Sequence, residues 1–439
     1  MTNHSASAPV LVRGGHVLFP DRTCRLADIA IRDGRIAEIG KNLLAQGDEQ
    51  VVNADGHLVL PGFVDAHRHM WLGSLSASSS DVPLFAYMQQ VSEGFGDPFT
   101  TEDVYAGVLW GAVQAIDAGV TTVADWAHNL GSIADADANV RALADSGIRA
   151  RLFFGGKASS SGDFTRYPDQ AREFHALARP DRIAAGLALR GPSMASPEDT
   201  EHEFALAREL SLPISIHAGL AGLPGAVDQL RTQGLLGDDV NYVHANEFSP
   251  QEWKLIAESG GTVSATPTGE LTMGLGVHPA TGLALEHGIP VGLGADTVAY
   301  GPSDLFGEMR LALAAERART NAGPIARGEI PAELSHTHLD LLDIATKGGA
   351  RVLGFHDVTG ELAVGRYADL ITVDLAAPHL DGFGDPVLAA FLNAGPGDVS
   401  TVIVGGRILK RDSAIDGELL QMARTLVRES RARIRARAQ

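Results

Sequence analysis

The pattern of apolar and polar residues changes twice along the chain. Residues 10–60 hold short stretches in which apolar and polar residues alternate, with turns between them, which is typical of β-strands. The Asp33-Gly34 step lies between two such stretches and predicts a hairpin, because a tight hairpin turn needs positive φ angles. The first part of the chain is therefore predicted to be a small β-module.

From residue 60 onward, apolar β segments alternate with longer helical stretches. Residues 101–118 have helical apolar spacing, for example, and an apolar run at 119–125 follows. This alternation is typical of βα units with a parallel sheet. We count eight β segments, at residues 60–69, 119–125, 148–154, 183–189, 213–217, 240–244, 262–266 and 290–296. The prediction is an α/β fold with a (β/α)8 TIM barrel.

The β pattern returns near the C-terminus, at residues 358–374 and 399–409. Neither terminal module is large enough to form a hydrophobic core of its own. We expect residues 8–60 and 358–412 to join as one discontinuous small β-sandwich domain beside a barrel of residues 61–357. Residues 413–439 are predicted to form a C-terminal helix with a basic end, as a solvated surface element.

Composition narrows the class of protein. The 439 residues are 45% hydrophobic and 20% charged, which is ordinary for a soluble globular protein. A formal net charge of -19 argues against a nucleic-acid partner, which normally requires a basic face. The single cysteine, Cys24, excludes an intramolecular disulfide framework and any site with several thiolates. Without a signal-like start or an apolar run of about 18 residues, we expect a cytoplasmic protein with no membrane partner.

Five residues with metal-binding side chains come at the ends of predicted barrel strands. Residues i and i+2 of a strand point to the same face, so His67 and His69 are expected to point at one place. The other three are His217 at the end of strand five, His244 at the end of strand six and Asp296 at the end of strand eight. Chemistry in a TIM barrel occurs at this C-terminal rim, so these side chains are expected to converge.

Imidazole nitrogens together with a carboxylate suit one divalent ion, zinc or iron(II), and leave a position open for water. Such an ion would lower the pKa of that water and make hydroxide available near neutral pH. Asp296 is then the natural proton acceptor.

Taken together, four motifs resemble the amidohydrolase superfamily, and within it the branch of cytosine deaminase-like and atrazine/triazine hydrolase-like enzymes. They are Pro61-Gly62-Phe63-Val64-Asp65-Ala66-His67-Arg68-His69, Ile216-His217, Val243-His244 and Gly292-Leu293-Gly294-Ala295-Asp296-Thr297.

The resemblance implies a mononuclear site with His67, His69, His217 and Asp296 as ligands. It also implies that His244 polarises the substrate. A binuclear site with a carbamylated lysine on strand four is not expected, because that strand ends Ala188-Leu189-Arg190.

One departure from the family concerns the proton donor. Many deaminases of this branch carry a glutamate three residues after the strand-five histidine, where it passes a proton to the leaving ammonia. Here that position is Leu220, which cannot move a proton. Glu270 and Glu247 are the candidate substitutes, and a structural or surface role is the simpler interpretation of each.

Other side chains are candidates for contacts with the substrate. Residues 71–96 form a long segment after strand one, and long ordered loops often act as lids. Trp126 can pack on a planar substrate, although a half-buried loop aromatic would look the same in the sequence. The candidate substrate-binding residues are Trp126, His128, Glu270, Trp71, His278 and Asp304.

The sequence therefore predicts a metal-dependent hydrolase that acts on carbon–nitrogen bonds, other than peptide bonds, of a small molecule such as an amide, urea, amidine or nitrogen heterocycle. Deamination or dechlorination of a purine-, pyrimidine- or triazine-like ring is the alternative within the enzyme class. A catalytically inactive homologue that acts in binding or assembly is the alternative outside it. Zinc is the expected metal, and a homodimer the expected assembly.

Overall fold

A computed structural model describes residues 8–47, 49–157, 166–179, 182–302, 304–382 and 384–437. Two sheets organise this part of the chain: a parallel sheet of eight strands and a mixed sheet of nine.

The parallel sheet forms a barrel. Its strands follow one another in chain order, and residues 183–189, for example, were predicted with the bounds that the structure has. The first and last strands meet through a parallel bridge between Arg68 and Asp296. The strands are β6 (Phe63–Arg68), β7 (Val120–Leu130), β8 (Arg149–Gly156), β9 (Ile183–Leu189), β10 (Ile214–Ala218), β11 (Val240–His244), β12 (Thr262–Ala265) and β13 (Val291–Leu293). The predicted (β/α)8 architecture is confirmed.

Helices connect the barrel strands, and their ends follow local sequence signals. In α7 (Pro250–Ser259), Ser249 and Glu252 form a capping box, and Gly260 ends the helix in the left-handed conformation with φ 80°. The other helices are α1 (Leu84–Tyr87), α2 (Thr101–Asp117), α3 (Ile133–Ser146), α4 (Tyr167–Leu177), α5 (Pro197–Glu209), α6 (Ala226–Thr232), α8 (Pro267–Thr272), α9 (Thr281–Glu286), α10 (Leu305–Ala326), α11 (His338–Asp343), α12 (Gly349–Val352), α13 (Pro386–Asn393) and α14 (Gly417–Arg437).

Strands from both ends of the chain form the second sheet, so the discontinuous β-domain is confirmed. The hairpin between its second and third strands turns at Asp33 and Gly34, with φ angles of 51° and 75°, as predicted. The strands are β1 (Val10–Leu18), β2 (Cys24–Arg32), β3 (Arg35–Gly40), β4 (Gln50–Asn53), β5 (His57–Pro61), β14 (Leu370–Asp374), β15 (Val399–Val404), β16 (Arg407–Arg411) and β17 (Ala414–Ile415). Strand β5 joins the halves, pairing with β1 on one side and β14 on the other. The domain boundaries given above stay a prediction.

A buried ion pair ties this sheet to the barrel. Arg149 of β8 donates from Nε to Asp369 over 2.9 Å, and the backbone N–H of Gly405 donates to the same carboxylate over 2.6 Å. Arg149 and Asp369 are both buried. A buried charge without a partner is costly, so breaking this ion pair is unfavourable. The contact therefore keeps the two sheets packed together.

The segment after β6 folds over the C-terminal end of the barrel. It contains a buried 3-10 turn (Met70–Leu75), helix α1 and a π-helix (Met88–Phe95). Its backbone is bonded to the chain after β13: Ala77 N–H donates to Val298 over 2.9 Å, and Ser79 N–H to Ala299 over 3.0 Å. The predicted lid segment is thus a packed cover.

Helix α14 holds this cover in place. Arg431 donates to the carbonyl of Ser74 over 2.9 Å, and Arg433 and Arg437 both pair with the buried carboxylate of Asp103. The C-terminal helix lies at the surface with a basic end, as expected, but it is more than a solvated element, because one face of α14 packs on the chain that follows β6. Residues 438 and 439 lie outside the described residues. None of the described helices combines the length and apolar character needed to cross a membrane.

Candidate metal centre and active site

Three histidine side chains meet at the C-terminal end of the barrel. His67 lies in β6, His69 directly follows that strand, and His217 lies in β10. One ring nitrogen of each lies within 4.8 Å of the other two. The Nε2 atoms of His67 and His217 are 3.4 Å apart. Strand alternation therefore brings His67 and His69 to one place, as predicted.

The carboxylate of Asp296 approaches this group from the end of the last strand. Its Oδ1 atom is 3.3 Å from Nε2 of His67 and 3.4 Å from Nε2 of His69. Asp296 has φ 55°, and His244 and Ala245 have φ 76° and 55°. Non-glycine residues in this left-handed region cost about 1–3 kcal/mol each, and such strain is concentrated at functional sites.

Three of the distances between these donor atoms are those expected of neighbouring zinc ligands. Neighbouring ligands that each lie about 2.1 Å from zinc are about 3–3.5 Å from one another. The separations of 3.3 Å and 3.4 Å given above fall in that interval. Three imidazole nitrogens with a carboxylate oxygen are also a donor set that zinc accepts.

Burial sets the protonation of these groups. It lowers the pKa of His67, His69 and His217 below the ordinary histidine value, so each ring is neutral and has a lone pair for a metal. Burial alone would raise the pKa of Asp296, but its contacts with the nearby imidazoles, first of all His67, bring the pKa below the ordinary value. Asp296 is therefore ionised near neutral pH.

A backbone carbonyl orients one of the imidazoles. The oxygen of Trp126 lies 2.8 Å from Nδ1 of His69, and because a carbonyl can only accept, Nδ1 is the donor. The Nε2 atom of His69 is then free to face Asp296. Such contacts fix the tautomer and direction of metal-binding histidines.

Two of the predicted contact residues form an aromatic wall next to the histidines. The His128 ring centroid lies 4.5 Å from that of His69 and 5.4 Å from that of Trp71. Burial lowers the pKa of His128 to about 4, so this ring is neutral. Trp71 is buried and also packs on Phe99.

Trp126 lies deeper, against a predicted metal ligand. Its ring centroid is 4.2 Å from that of His217, and its indole N–H donates to Ser215 over 3.2 Å. Only 6% of Trp126 is exposed, so most of its side chain packs inside the barrel.

His244 and Glu270 lie together on another side of the site. The His244 ring is 5.3 Å from that of His217, but His244 is not part of the three-histidine group described above. The carboxylate of Glu270 lies 3.4 Å from Nδ1 of His244 and is fully buried.

Two predicted contact residues have roles in holding the backbone. The carbonyl of His278 accepts from Asn246 over 2.9 Å. The carboxylate of Asp304 caps α10 by accepting the N–H of Gly307 over 2.8 Å. Each lies after a late barrel strand, and the structure does not bring either into the histidine group.

Two groups near Asp296 were missed by the sequence analysis as site residues. The Tyr87 hydroxyl of the cover is 2.8 Å from Oγ1 of Thr297, the residue after Asp296. The signal for Thr297 was its place in the Asp296-Thr297 motif, and Tyr87 lay inside the segment predicted to be a lid.

Leu220 is 4% exposed and packs in the barrel core, so the position expected for a glutamate is apolar in the structure as well.

The chain is similar to known proteins over most of its length. A model of the amidohydrolase family matches residues 58–409. The 5-methylthioadenosine/S-adenosylhomocysteine deaminase of Halobacterium salinarum is 31% identical over 96% of each chain. The enzyme of the same name from Pyrococcus furiosus is 28% identical over 94% of this chain and 96% of its own.

Among solved structures, an adenosine deaminase from Xanthomonas campestris with bound zinc superposes with a TM-score of 0.84. The two chains are 24% identical, and the match covers 98% of this chain and 99% of the other. This similarity shows a shared fold over nearly the whole length.

Proposed function

The chain belongs to the amidohydrolase family and is a hydrolase that acts on carbon–nitrogen bonds, and from this premise we propose that it is a zinc-dependent aminohydrolase. The proposed reaction releases ammonia from an amino-substituted nitrogen heterocycle of the adenine type. The names of the relatives support this choice, since the two described above are deaminases of adenine nucleosides.

The observation that carries the proposal is the group of three histidines with the Asp296 carboxylate beside two of them. His67, His69, His217 and Asp296 would hold a single zinc ion, since three of the distances between their donor atoms, 3.3–3.4 Å, are those of neighbouring ligands. When bound, the zinc ion supplies a water molecule of lowered pKa. The residues of the chain then have to bind the ring, place it against that water and move protons.

Asp296 is the proposed proton acceptor, because it is ionised and its carboxylate lies beside the histidines. It takes a proton from the attacking water and gives it to the departing nitrogen. Gly269 keeps space beside this carboxylate: a Cβ atom there would lie 2.9 Å from Oδ2 of Asp296. His244 is the residue proposed to contact and polarise the substituted ring.

The aromatic wall supports a planar substrate. His128 is proposed to pack on the ring, since it lies beside His69 and carries no charge, and Trp71 supports His128 from behind. A neutral wall of this kind suits an uncharged heterocycle better than an anionic substrate.

The test measures metal content and ammonia release together. The chain is stripped with a chelator, reloaded with zinc and given adenine nucleosides, aminopyrimidines, aminotriazines, a chlorinated triazine, ureas and amides. We expect about one zinc per chain and ammonia from an aminated ring only in the reloaded protein. His217→Asn should lose both zinc and activity, whereas His287→Asn, whose ring bonds to the Leu283 carbonyl away from the site, should keep both.

Three outcomes would contradict the proposal. Two zinc ions per chain would exclude a mononuclear site. If only a urea or an amide released amine, the substrate would be of that class and not an aminated ring. If only the chlorinated triazine reacted, with release of chloride, the reaction would be dechlorination. Zinc-loaded protein that hydrolyses none of the panel would favour the non-catalytic homologue.

A further inference from the structure

Two glutamates follow His244 in the sequence as candidate proton carriers, and the structure separates them. Glu247 is exposed, and its carboxylate accepts the backbone N–H of Val277 over 3.2 Å. Glu270 has no exposed surface and lies against the His244 ring. Only Glu270 is therefore placed to act with His244.

The Glu270 carboxylate is held by three neighbours. Its Oε1 atom accepts the Thr266 N–H over 2.6 Å and lies 3.3 Å from Oγ1 of Thr266. Its Oε2 atom accepts from Nδ2 of Asn246 over 3.0 Å. Oε1 is also 3.4 Å from Nδ1 of His244. The carboxylate is thus fixed on the side of the ring opposite Nε2.

These contacts determine which nitrogen of His244 carries the proton. Oγ1 of Thr266 lies 3.1 Å from Nδ1 of His244 and can bridge the ring to Glu270. An ionised carboxylate only accepts hydrogen bonds, so a lone pair on Nδ1 facing it would be repelled. The contacts of Nδ1 with Glu270 and Thr266 therefore favour the tautomer that has its N–H at Nδ1 and its lone pair at Nε2.

Hydrolysis of an aminated ring needs two proton transfers. Water adds its oxygen to the ring carbon, the bond from that carbon to the amino nitrogen breaks, and the two protons of water end on ammonia and on the ring nitrogen. Asp296 accounts for one proton. Leu220 cannot carry the other, and its side chain is buried in the core.

We propose that His244 carries the second proton and that Glu270 is a positioning residue that acts through it, a proposal that rests on the function proposed above. Nε2 of His244 takes a proton from water and gives it to the nitrogen of the substrate ring, while Glu270, 3.4 Å from Nδ1 and bridged to it by the Thr266 hydroxyl, orients the imidazole and balances the charge that it acquires. Thr266 and Asn246 keep the carboxylate in place.

The first test compares two variants of the zinc-loaded protein. Glu270→Gln keeps the size of the side chain and removes its charge, and Glu247→Gln is the matched control at the surface. With a substrate found in the panel, we expect Glu270→Gln to lower kcat about 10- to 100-fold with KM changed less than about twofold. Glu247→Gln should match the parent, and both variants should keep the parent zinc content and melting temperature.

The second test needs no substrate. In protein labelled with 15N-histidine, the His244 Nδ1–H should give a slowly exchanging, strongly downfield imidazole proton signal, assigned by its loss in His244→Asn. It should disappear or move upfield in Glu270→Gln and stay in place in Glu247→Gln. Absence of the signal from the parent, or its persistence unchanged in Glu270→Gln, would overturn the pairing.

The two tests separate failure of the pair from failure of the proposed function. Parent-like kcat in Glu270→Gln with an active parent would refute the role of Glu270 and leave the aminohydrolase intact. An inactive parent with the expected signal would refute the function and leave the pairing of His244 with Glu270 intact.

Discussion

The stability of this protein is predicted to fall as the pH rises through the neutral range, because of one buried carboxyl group. Glu308 of α10 is 1% exposed, and its Oε2 atom accepts the N–H of Thr268 over 2.9 Å. Its Oε1 atom has no hydrogen-bond partner among the described residues. Burial raises the pKa of Glu308 from 4.5 to about 8. At neutral pH this side chain is therefore protonated in the folded chain.

The direction of this pH dependence is set by how many protons the folded and the unfolded chain bind. Between about pH 4.5 and 8 the folded chain holds a proton on Glu308 that the unfolded chain has released, so the free energy of unfolding falls as the pH rises. One pKa unit corresponds to 1.36 kcal/mol, which gives a full loss of about 5 kcal/mol above pH 8. About 2 kcal/mol of this loss occurs between pH 6 and 8.

Glu308→Gln removes the ionisation and keeps an oxygen that can accept from Thr268. The difference in free energy of unfolding between the variant and the parent should therefore grow by about 2 kcal/mol in favour of the variant from pH 6 to pH 8. For a chain of this length this corresponds to about 2–3 °C in melting temperature. The assay is thermal unfolding followed by circular dichroism at pH 6, 7 and 8 with a constant excess of zinc. Glu258→Gln, at an exposed position, controls for the change of side chain.

Parallel plots of melting temperature against pH for the parent and Glu308→Gln would refute this reasoning. They would mean that the carboxyl group is ionised in the folded chain, which requires water or a cation beside Oε1. A difference of the same size in Glu258→Gln would trace the effect to the loss of surface charge.

Two further predictions concern the site and the joint between the sheets. Asp296→Asn should abolish turnover, with kcat at least about 100-fold lower, and keep the far-ultraviolet circular dichroism spectrum of the parent; near-normal kcat would remove Asp296 as the proton acceptor. Asp369→Asn takes the negative charge away from buried Arg149 and should cost about 3–5 kcal/mol, seen as a fall of about 3–5 °C in melting temperature. An unchanged melting temperature in Asp369→Asn would mean that this ion pair does not hold the two sheets together.

The barrel could be predicted from the chain because each of its signals is local. An apolar run of four to eight residues followed by a helical stretch identifies a βα unit without any knowledge of its neighbours. Strand alternation likewise implied that His67 and His69 share a face, and the structure places their rings 4.8 Å apart. The roles assigned to these residues stay predictions, although the structure brings the four proposed ligands together.

The sequence alone could not rank the two glutamates near His244. Glu247 is three residues from His244 and Glu270 is twenty-six away, yet only Glu270 contacts the ring. The reason is that parallel neighbours in a barrel place the ends of β11 and β12 side by side, so nearness in space depends on strand pairing. The packing of the C-terminal helix could not be predicted for a similar reason, because its partner Asp103 lies more than three hundred residues earlier.

For this protein the sequence by itself determined the order of the elements, the family and the strand ends at which metal-binding side chains occur. Those properties depend on periodicity and on short motifs, which are local features of the sequence. Only the tertiary structure decided that the three histidines lie together with Asp296 beside two of them, that Glu270 contacts the His244 ring, and that α14 packs on the cover. Burial, distance and the sharing of protons between groups arise when distant segments pack together.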